Sequence, residues 1–312
     1  MHHQRWSVFD ALALLALAGL WSAVAQPMLA ADRDRARRGK DAAQIRQIHV
    51  ALTSWAASRN GQFPLPSTLD VNHTTVPGTL GGSNRHKDTT GNIFSILIFN
   101  TLMTPEDAVS PAESSGQITV DAGFQYTNPQ RATLPAQALW DPGFAGTPAD
   151  PFTRRNPGIG NFSYAHLLPF AQRQPRWSTT TDPALPLLSN RGPVFAGAIS
   201  DSAPFPASGW RLVSSPSGVS SNTLLFFPPR NAWVGHVLLA DGSVLFATRP
   251  DPHQIRYTRT GQPAAVNDNL FVNESDDATR IGSGLAGTNA HMRQISSVTG
   301  SDATLNVTLF RD

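Results

Sequence analysis

Ala11-Leu12-Ala13-Leu14-Leu15-Ala16-Leu17-Ala18-Gly19-Leu20-Trp21, running on to Ala25, is apolar on every side, whereas Ile45, Ile48, Leu52 and Trp55 recur at spacings of three, four and three. The first pattern predicts a helix that needs an apolar surrounding all round, the second a helix with one buried stripe. Together they predict one long helix from Val8 to Arg59 in two unlike halves. Asn60-Gly61 supplies a C-cap signal and Phe63-Pro64-Leu65-Pro66 forbids continuation.

Three readings compete for the apolar half. It is a buried helix of a soluble core, a cleaved secretory signal with Arg5 as its basic start and Ala23-Val24-Ala25 as the cleavage region, or a retained anchor. Asp10, a carboxylate at the head of the apolar run, speaks against a signal. Its cost in a bilayer is about 2.5–3.5 kcal/mol on insertion scales, so a chain keeps it there only if a cation offsets it. At the helix N-terminus it also meets a favourable dipole.

Trp6-Ser7-Val8-Phe9-Asp10-Ala11-Leu12 resembles the start of mature type IV pilins and pseudopilins, with Asp10 where that family has glutamate and Pro27 where many members carry a kinking proline. The glycine after which the family's peptidase cuts is Arg5 here. Arg5 and Trp6 are therefore the processing-site candidates, and Asp10 and Pro27 the assembly candidates. Two further blocks are similar to bacterial prepilin-like proteins. One runs from Gly91 to Pro111, where Ser110-Pro111 stands for the family's Cys-Pro. The other runs from Arg230 to Val244, where Asn231 replaces a histidine separated by nine residues from an Asp-Gly pair kept as Asp241-Gly242.

The resemblance implies an α+β fold, with a long N-terminal helix packed on an antiparallel sheet and loop-rich insertions. The expected organisation is an anchor over 1–30, the amphipathic half over 31–60 and a β-rich extracytoplasmic domain over 61–312. It implies a structural subunit or accessory of a type II secretion or type IV pilus-like assembly, with N-terminal methylation of the processed chain. Its partners would be the membrane, through the helix, and copies of itself or other pilin-like subunits. The location implied is the bacterial inner membrane, single-pass, with the domain exported or at the cell surface. Arg33, Arg35, Arg37, Arg38 and Lys40 would by themselves favour the opposite orientation. The alternative is a tethered or signal-cleaved extracytoplasmic binding domain with no filament role.

Composition narrows the chemistry. The absence of cysteine excludes disulfides, thiolate metal sites and cysteine nucleophiles. A net charge of +2 is too small to imply a nucleic-acid partner. With 25 prolines, 24 glycines and 15% charged residues, the domain should be rich in short strands and loops. No Gly-x-Ser-x-Gly, His-Glu-x-x-His or phosphate-binding loop is present, and the nine histidines are scattered, so no enzyme is expected. Gly282-Ser283-Gly284-Leu285-Ala286-Gly287 has the letters of a dinucleotide loop without the strand and helix it requires. Asn273-Glu274-Ser275-Asp276-Asp277 reads first as an exposed acidic loop. Glu274, Asp276 and Asp277, with Asp268, are the calcium candidates, and no other cofactor is expected.

Local patterns fill in the rest. Residues 67–91 read as a polar surface loop. Asn92 should cap a short helix through Ile93 to Met103. Strands are expected at Gln117–Val120, Phe124–Tyr126, Asn161–His166 and Thr304–Phe310. His236 to Ala240 and Ser243 to Ala247 flank Asp241-Gly242, which predicts a hairpin closed by a two-residue type I′ turn. His49 and His166 are expected to carry no chemistry.

Overall fold

The computed structural model describes residues 8–79, 82–150, 157–197, 210–258, 263–273 and 287–312, with side chains from Met28 onward. Helix α1 spans Val8–Ala57. Contacts divide the chain into two units, Met1–Lys40 and Asp41–Asp312. In the first, Arg35 pairs with Asp32 at 2.8 Å and Arg37 with Asp34 at 3.7 Å, both one helical turn apart.

The second unit is α+β and its sheets are antiparallel. Helices α2 (Pro66–Leu69) and α3 (Thr90–Phe99) precede the strands. The main sheet has the order β6-β5-β2-β1-β9. Its members are β1 (Tyr164–Leu167), β2 (Pro186–Asn190), β5 (Gly235–Leu239), β6 (Val244–Ala247) and β9 (Met292–Arg293). Three two-stranded ribbons complete it: β3 (Phe195–Gly197) with β4 (Trp210–Leu212), β7 (Arg256–Thr258) with β8 (Ala265–Asn267), and β10 (Ile295–Thr299) with β11 (Asn306–Leu309). Four of the five strands of the main sheet carry only buried residues where burial is described throughout. Both faces are therefore covered, which explains why clean alternation is hard to find in their sequences.

The amphipathic stripe is buried: Ile45, Ile48 and Leu52 are fully inaccessible and Trp55 is 8% exposed. They belong to the same apolar cluster as Leu188 of β2, Leu238 of β5 and Ile93, Ile96 and Leu97 of α3. Across the sheet, His166, Leu188, Leu238 and Val244 lie opposite one another, one residue per strand. That register puts their side chains on a common face.

Several expectations change. Among the described residues no helix is long and apolar enough to cross a membrane, so the single-pass inner-membrane placement is withdrawn. The part of α1 whose side chains are described, from Met28, carries charge from Asp32 onward and leaves no uncharged run of the roughly 20 residues a span needs. Residues 67–91 are not a surface loop throughout: among those described, 71–72 and 77–79 are exposed, but 83 and 86–91 are buried. Lys87 is fully buried, its ammonium at 3.0 Å from an Asp70 carboxylate oxygen and 2.9 Å from Nδ1 of His73. The Asp70 carboxylate also accepts from the backbone of Thr74, Thr75 and Val76, so a polar segment is folded around one ion pair.

Helix α3 is capped by Thr89, whose hydroxyl accepts from the Asn92 N–H at 3.3 Å. Asn92 instead bridges the Lys87 carbonyl and the Trp140 indole. No strand forms over 117–120 or 124–126; Ile118 makes one isolated bridge to Gly160.

The β5–β6 connection is also different from the one expected. Leu238 pairs with Val244, the Gly242 N–H bonds to the Leu239 carbonyl at 3.0 Å and the Leu239 N–H to the Ser243 carbonyl at 2.9 Å. This is a three-residue connection in which Gly242 alone has positive φ, at 84°. Ala240 and Asp241 are held by the Leu185 and Pro183 carbonyls, and that external ladder selects the longer turn.

Ile48→Ala should lower the unfolding free energy by about 2–5 kcal/mol, as for other fully buried aliphatic truncations. Urea denaturation followed by circular dichroism checks this, and a loss below about 1 kcal/mol would mean that the stripe is not part of the core.

Candidate functional site

The residue stripe of α1 has a member the apolar pattern hides. Asp41 lies four residues before Ile45, so it occupies the same helix face, and it is fully buried. Its carboxylate sits over the main sheet. Oδ2 receives Nδ1 of His236 at 2.7 Å. Oδ1 receives the hydroxyl of Tyr164 at 3.0 Å and Nδ2 of Asn190 at 3.3 Å. The hydroxyl of Ser110 donates to the same oxygen.

Three of these donors come from one transverse row of the sheet. Tyr164 of β1 pairs with Asn190 of β2, and His236 of β5 with Phe246 of β6. Between them, Asn190 Oδ1 accepts the His236 backbone N–H at 2.6 Å. Neighbouring strands thus present a phenol, an amide and an imidazole at the same level, and the helix lowers a carboxylate onto them. Ser110 comes from the segment after α3, and its oxygen also accepts the Ala112 N–H at 3.0 Å.

Two further contacts seat the same helix. The amide nitrogen of Gln44 lies 2.8, 2.8 and 2.7 Å from the carbonyls of Glu106, Asp107 and Val109. Nε2 of His49 lies 3.1 Å from the Ala240 carbonyl, at the tip of the β5–β6 hairpin. Burial holds the His49 pKa below its ordinary value, against the opposing pull of that carbonyl and of Asp241.

The chemistry open to this arrangement is narrow. A carboxylate accepts only, so His236 must carry its proton on Nδ1. An imidazole oriented by a carboxylate is half of a proton relay. The other half is missing among the described residues: the Ser110 hydroxyl is turned to Asp41, and no hydroxyl bonds to Nε2 of His236. Phe227 and Phe246 lie against the ring at 5.6 and 5.0 Å between centroids. Tyr164 is no acid at neutral pH, because burial, and then the Asp41 charge, push its pKa well above 10. Oδ1 takes three of the four donors and Oδ2 takes one, so four residues hold the carboxylate in place. Asp41 fastens the helix to the sheet.

The residues singled out in the sequence do not converge here. Arg5 and Trp6 lie outside the described residues, and so do the side chains of Asp10 and Pro27. Asp241 is exposed at the hairpin tip, where its Oδ1 accepts the Ser243 N–H at 2.8 Å, and Gly242 faces the His49 ring. Asn231 is at the opposite end of the same hairpin, on the rim of a groove with Trp210 and Trp233. The Asn231, Asp241 and Gly242 positions therefore form no common site.

Of the calcium candidates, Glu274, Asp276 and Asp277 lie outside the described residues. Asp268 is buried and accepts from Asn289 Nδ2 at 2.8 Å and the Ala290 N–H at 2.7 Å. Among the described residues no group of three or more acidic or histidine side chains is placed to hold a metal ion. His166 is fully buried, with Nε2 2.8 Å from the Thr90 hydroxyl oxygen.

Sequence reading missed Asp41, Ser110, Tyr164, Asn190 and His236. One signal was present: Asp41 continues the spacing of Ile45, Ile48, Leu52 and Trp55, and a charge on a buried stripe demands partners. The identity of those partners depends on strand register, which no local pattern supplies. Comparison with protein-family models, with curated proteins and with solved structures returned no match.

Asp41→Ala should cost about 3–5 kcal/mol of stability by leaving buried donors unpaired. Asp41→Asn should cost less, since its carbonyl still accepts. A loss under about 1 kcal/mol for the alanine variant in chemical denaturation would refute the fastener. His166 gives a pH dependence. Burial pushes its pKa down to about 4, from 6.5 for the free side chain. The unfolded chain therefore binds the proton first. Stability should be full above pH 6.5 and fall by up to about 3 kcal/mol as the pH drops towards 4. His166→Gln should flatten that part of the curve, and an unchanged slope would count against it.

Proposed function

We propose that the chain is a pilin-like structural subunit without catalytic activity, in which the N-terminal part of α1 associates with further copies or with other pilin-like subunits and the β-rich unit is the part displayed. The observation that carries this reading is the buried Asp41 carboxylate, held by donors from four residues. Catalysis needs a group left free to exchange a proton or bind a reacting atom. Here the Ser110 and Tyr164 hydroxyls, Asn190 Nδ2 and His236 Nδ1 are all turned to the helix carboxylate.

The attachment has the character a load-transmitting subunit needs. Asp41 reaches β1, β2 and β5, Gln44 reaches the segment after α3, and His49 reaches the hairpin tip. Three separate polar contacts along one helix resist sliding as well as separation, which an apolar stripe alone resists poorly because burial is non-directional. Residues 11–25 of the same helix, apolar on every side in sequence, supply a surface that other helices can cover.

Asp10 gives the test. In an assembly of helices its carboxylate must be offset by a cation from a neighbour, which makes association specific. Full-length chain should form ordered oligomers or filaments in sedimentation and electron microscopy. Asp10→Ala should reduce assembly about tenfold or more while melting temperature stays unchanged. A full-length chain that remains monomeric, or assembly indifferent to Asp10, would overturn the proposal.

A further inference from the structure

One surface groove is lined by two tryptophans. It lies beside the β3–β4 ribbon, at the end of the β5–β6 hairpin away from the turn, and has a volume of about 450 Å³. Phe195 pairs with Leu212 across the ribbon, and Trp210 stands two residues before Leu212, so all three side chains share one face. Trp233 adds a second indole to the lining.

The wall is fixed before any ligand arrives. Trp233 is buried and its indole N–H donates to the Arg191 carbonyl at 2.8 Å. Its ring meets Phe271 edge-on at 4.8 Å, and Phe195 stacks with the same Phe271 ring at 6.4 Å. Trp210 is only partly covered.

Polar groups complete the lining. Asn231 and Thr248 are exposed, and their side chains offer both donors and acceptors. Arg249 and Asp251 face the same space, joined as a two-pronged pair at 2.7 and 2.7 Å. Arg249 also meets Nε2 of His253 at 3.2 Å, which holds its plane. The pair cancels its own charge, so the groove lining carries no net charge to attract an ion.

We propose that this groove binds a neutral saccharide. An apolar wall bearing a partly covered indole suits the C–H face of a sugar ring, and the mixed donors and acceptors on the rim suit its hydroxyls, which both give and receive hydrogen bonds. The volume lies within the range of small-ligand sites and accommodates a short oligosaccharide. A fatty ligand would leave the rim unpaired, and an anion would meet Asp251. This site is independent of the assembly reading above: either stands if the other fails.

The full chain should be titrated, by calorimetry and by tryptophan fluorescence, with maltotriose, cellotriose, xylotriose, triacetylchitotriose and the charged trimer of galacturonic acid. At least one neutral trimer is expected to saturate below about 10 mM, with a change in tryptophan emission. Trp210→Ala should weaken that trimer by about tenfold or more, and Asn231→Ala, at an exposed position unconnected with the core, by several-fold, with the circular dichroism spectrum of each variant unchanged. If Trp210→Ala fails to fold, Asn231→Ala and Thr248→Ala decide the matter. The proposal is overturned if no neutral trimer saturates, if binding is indifferent to these variants, if the charged trimer binds as tightly as the neutral ones, or if a proline-rich peptide occupies the groove where no sugar does.

Discussion

A carboxylate removed from water is tolerated only where hydrogen bonds replace its hydration, and Asp41 is the point at which this fold meets that demand. Its partners are spread over distant parts of the chain: Ser110 after α3, Tyr164 in β1, Asn190 in β2 and His236 in β5. Tyr164, Asn190 and His236 meet the helix together only when the strands pair in the observed register, and Ser110 adds a donor from outside the sheet. A one-residue slip of any strand would turn its donor to the opposite face. The apolar stripe supplies the bulk of the attraction, and the Asp41 cluster decides where along the sheet the helix comes to rest.

The same logic recurs elsewhere. Lys87 and Asp70 organise the segment between α2 and α3 from inside. Arg293 is buried and spreads its guanidinium over the carbonyls of Gly192, Pro193 and Phe271, with burial lowering its pKa to about 9. Arg173 reaches the backbone and side chain of Asn289 and the side chain of Asn273. With few regular strands and long irregular connections, backbone carbonyls go unpaired unless side chains reach them. These arginines take the place that a regular ladder has in a simpler sheet.

Period and punctuation made part of this legible. The 3.6-residue spacing located the buried stripe of α1, and Asp241-Gly242 located the hairpin, because both depend on residues close in sequence. The turn type was misjudged because the Pro183 and Leu185 carbonyls, far away in sequence, hold Ala240 and Asp241. Residues 67–91 look like a loop by composition, and only the pairing of Lys87 with Asp70 makes that polarity internal. The strands at β1, β5, β6 and β11 were legible from local pattern, whereas β2 and β9, buried along their whole length, show no alternation to find them by. The groove beside Trp210 and Trp233 was invisible for the same reason as the Asp41 cluster: its parts come from four separate stretches.

The central claim is that residues 41–57 of α1 and the strands beneath them are one cooperative unit, tied at Asp41. Native-state hydrogen exchange tests it most directly. Amides of the helix around Ile48 and Leu52 should open with the same free energy and the same denaturant dependence as those of β2 and β5, because neither can leave without breaking the shared cluster. Helix amides that exchange through a separate, lower-energy opening while β2 and β5 stay protected would contradict it.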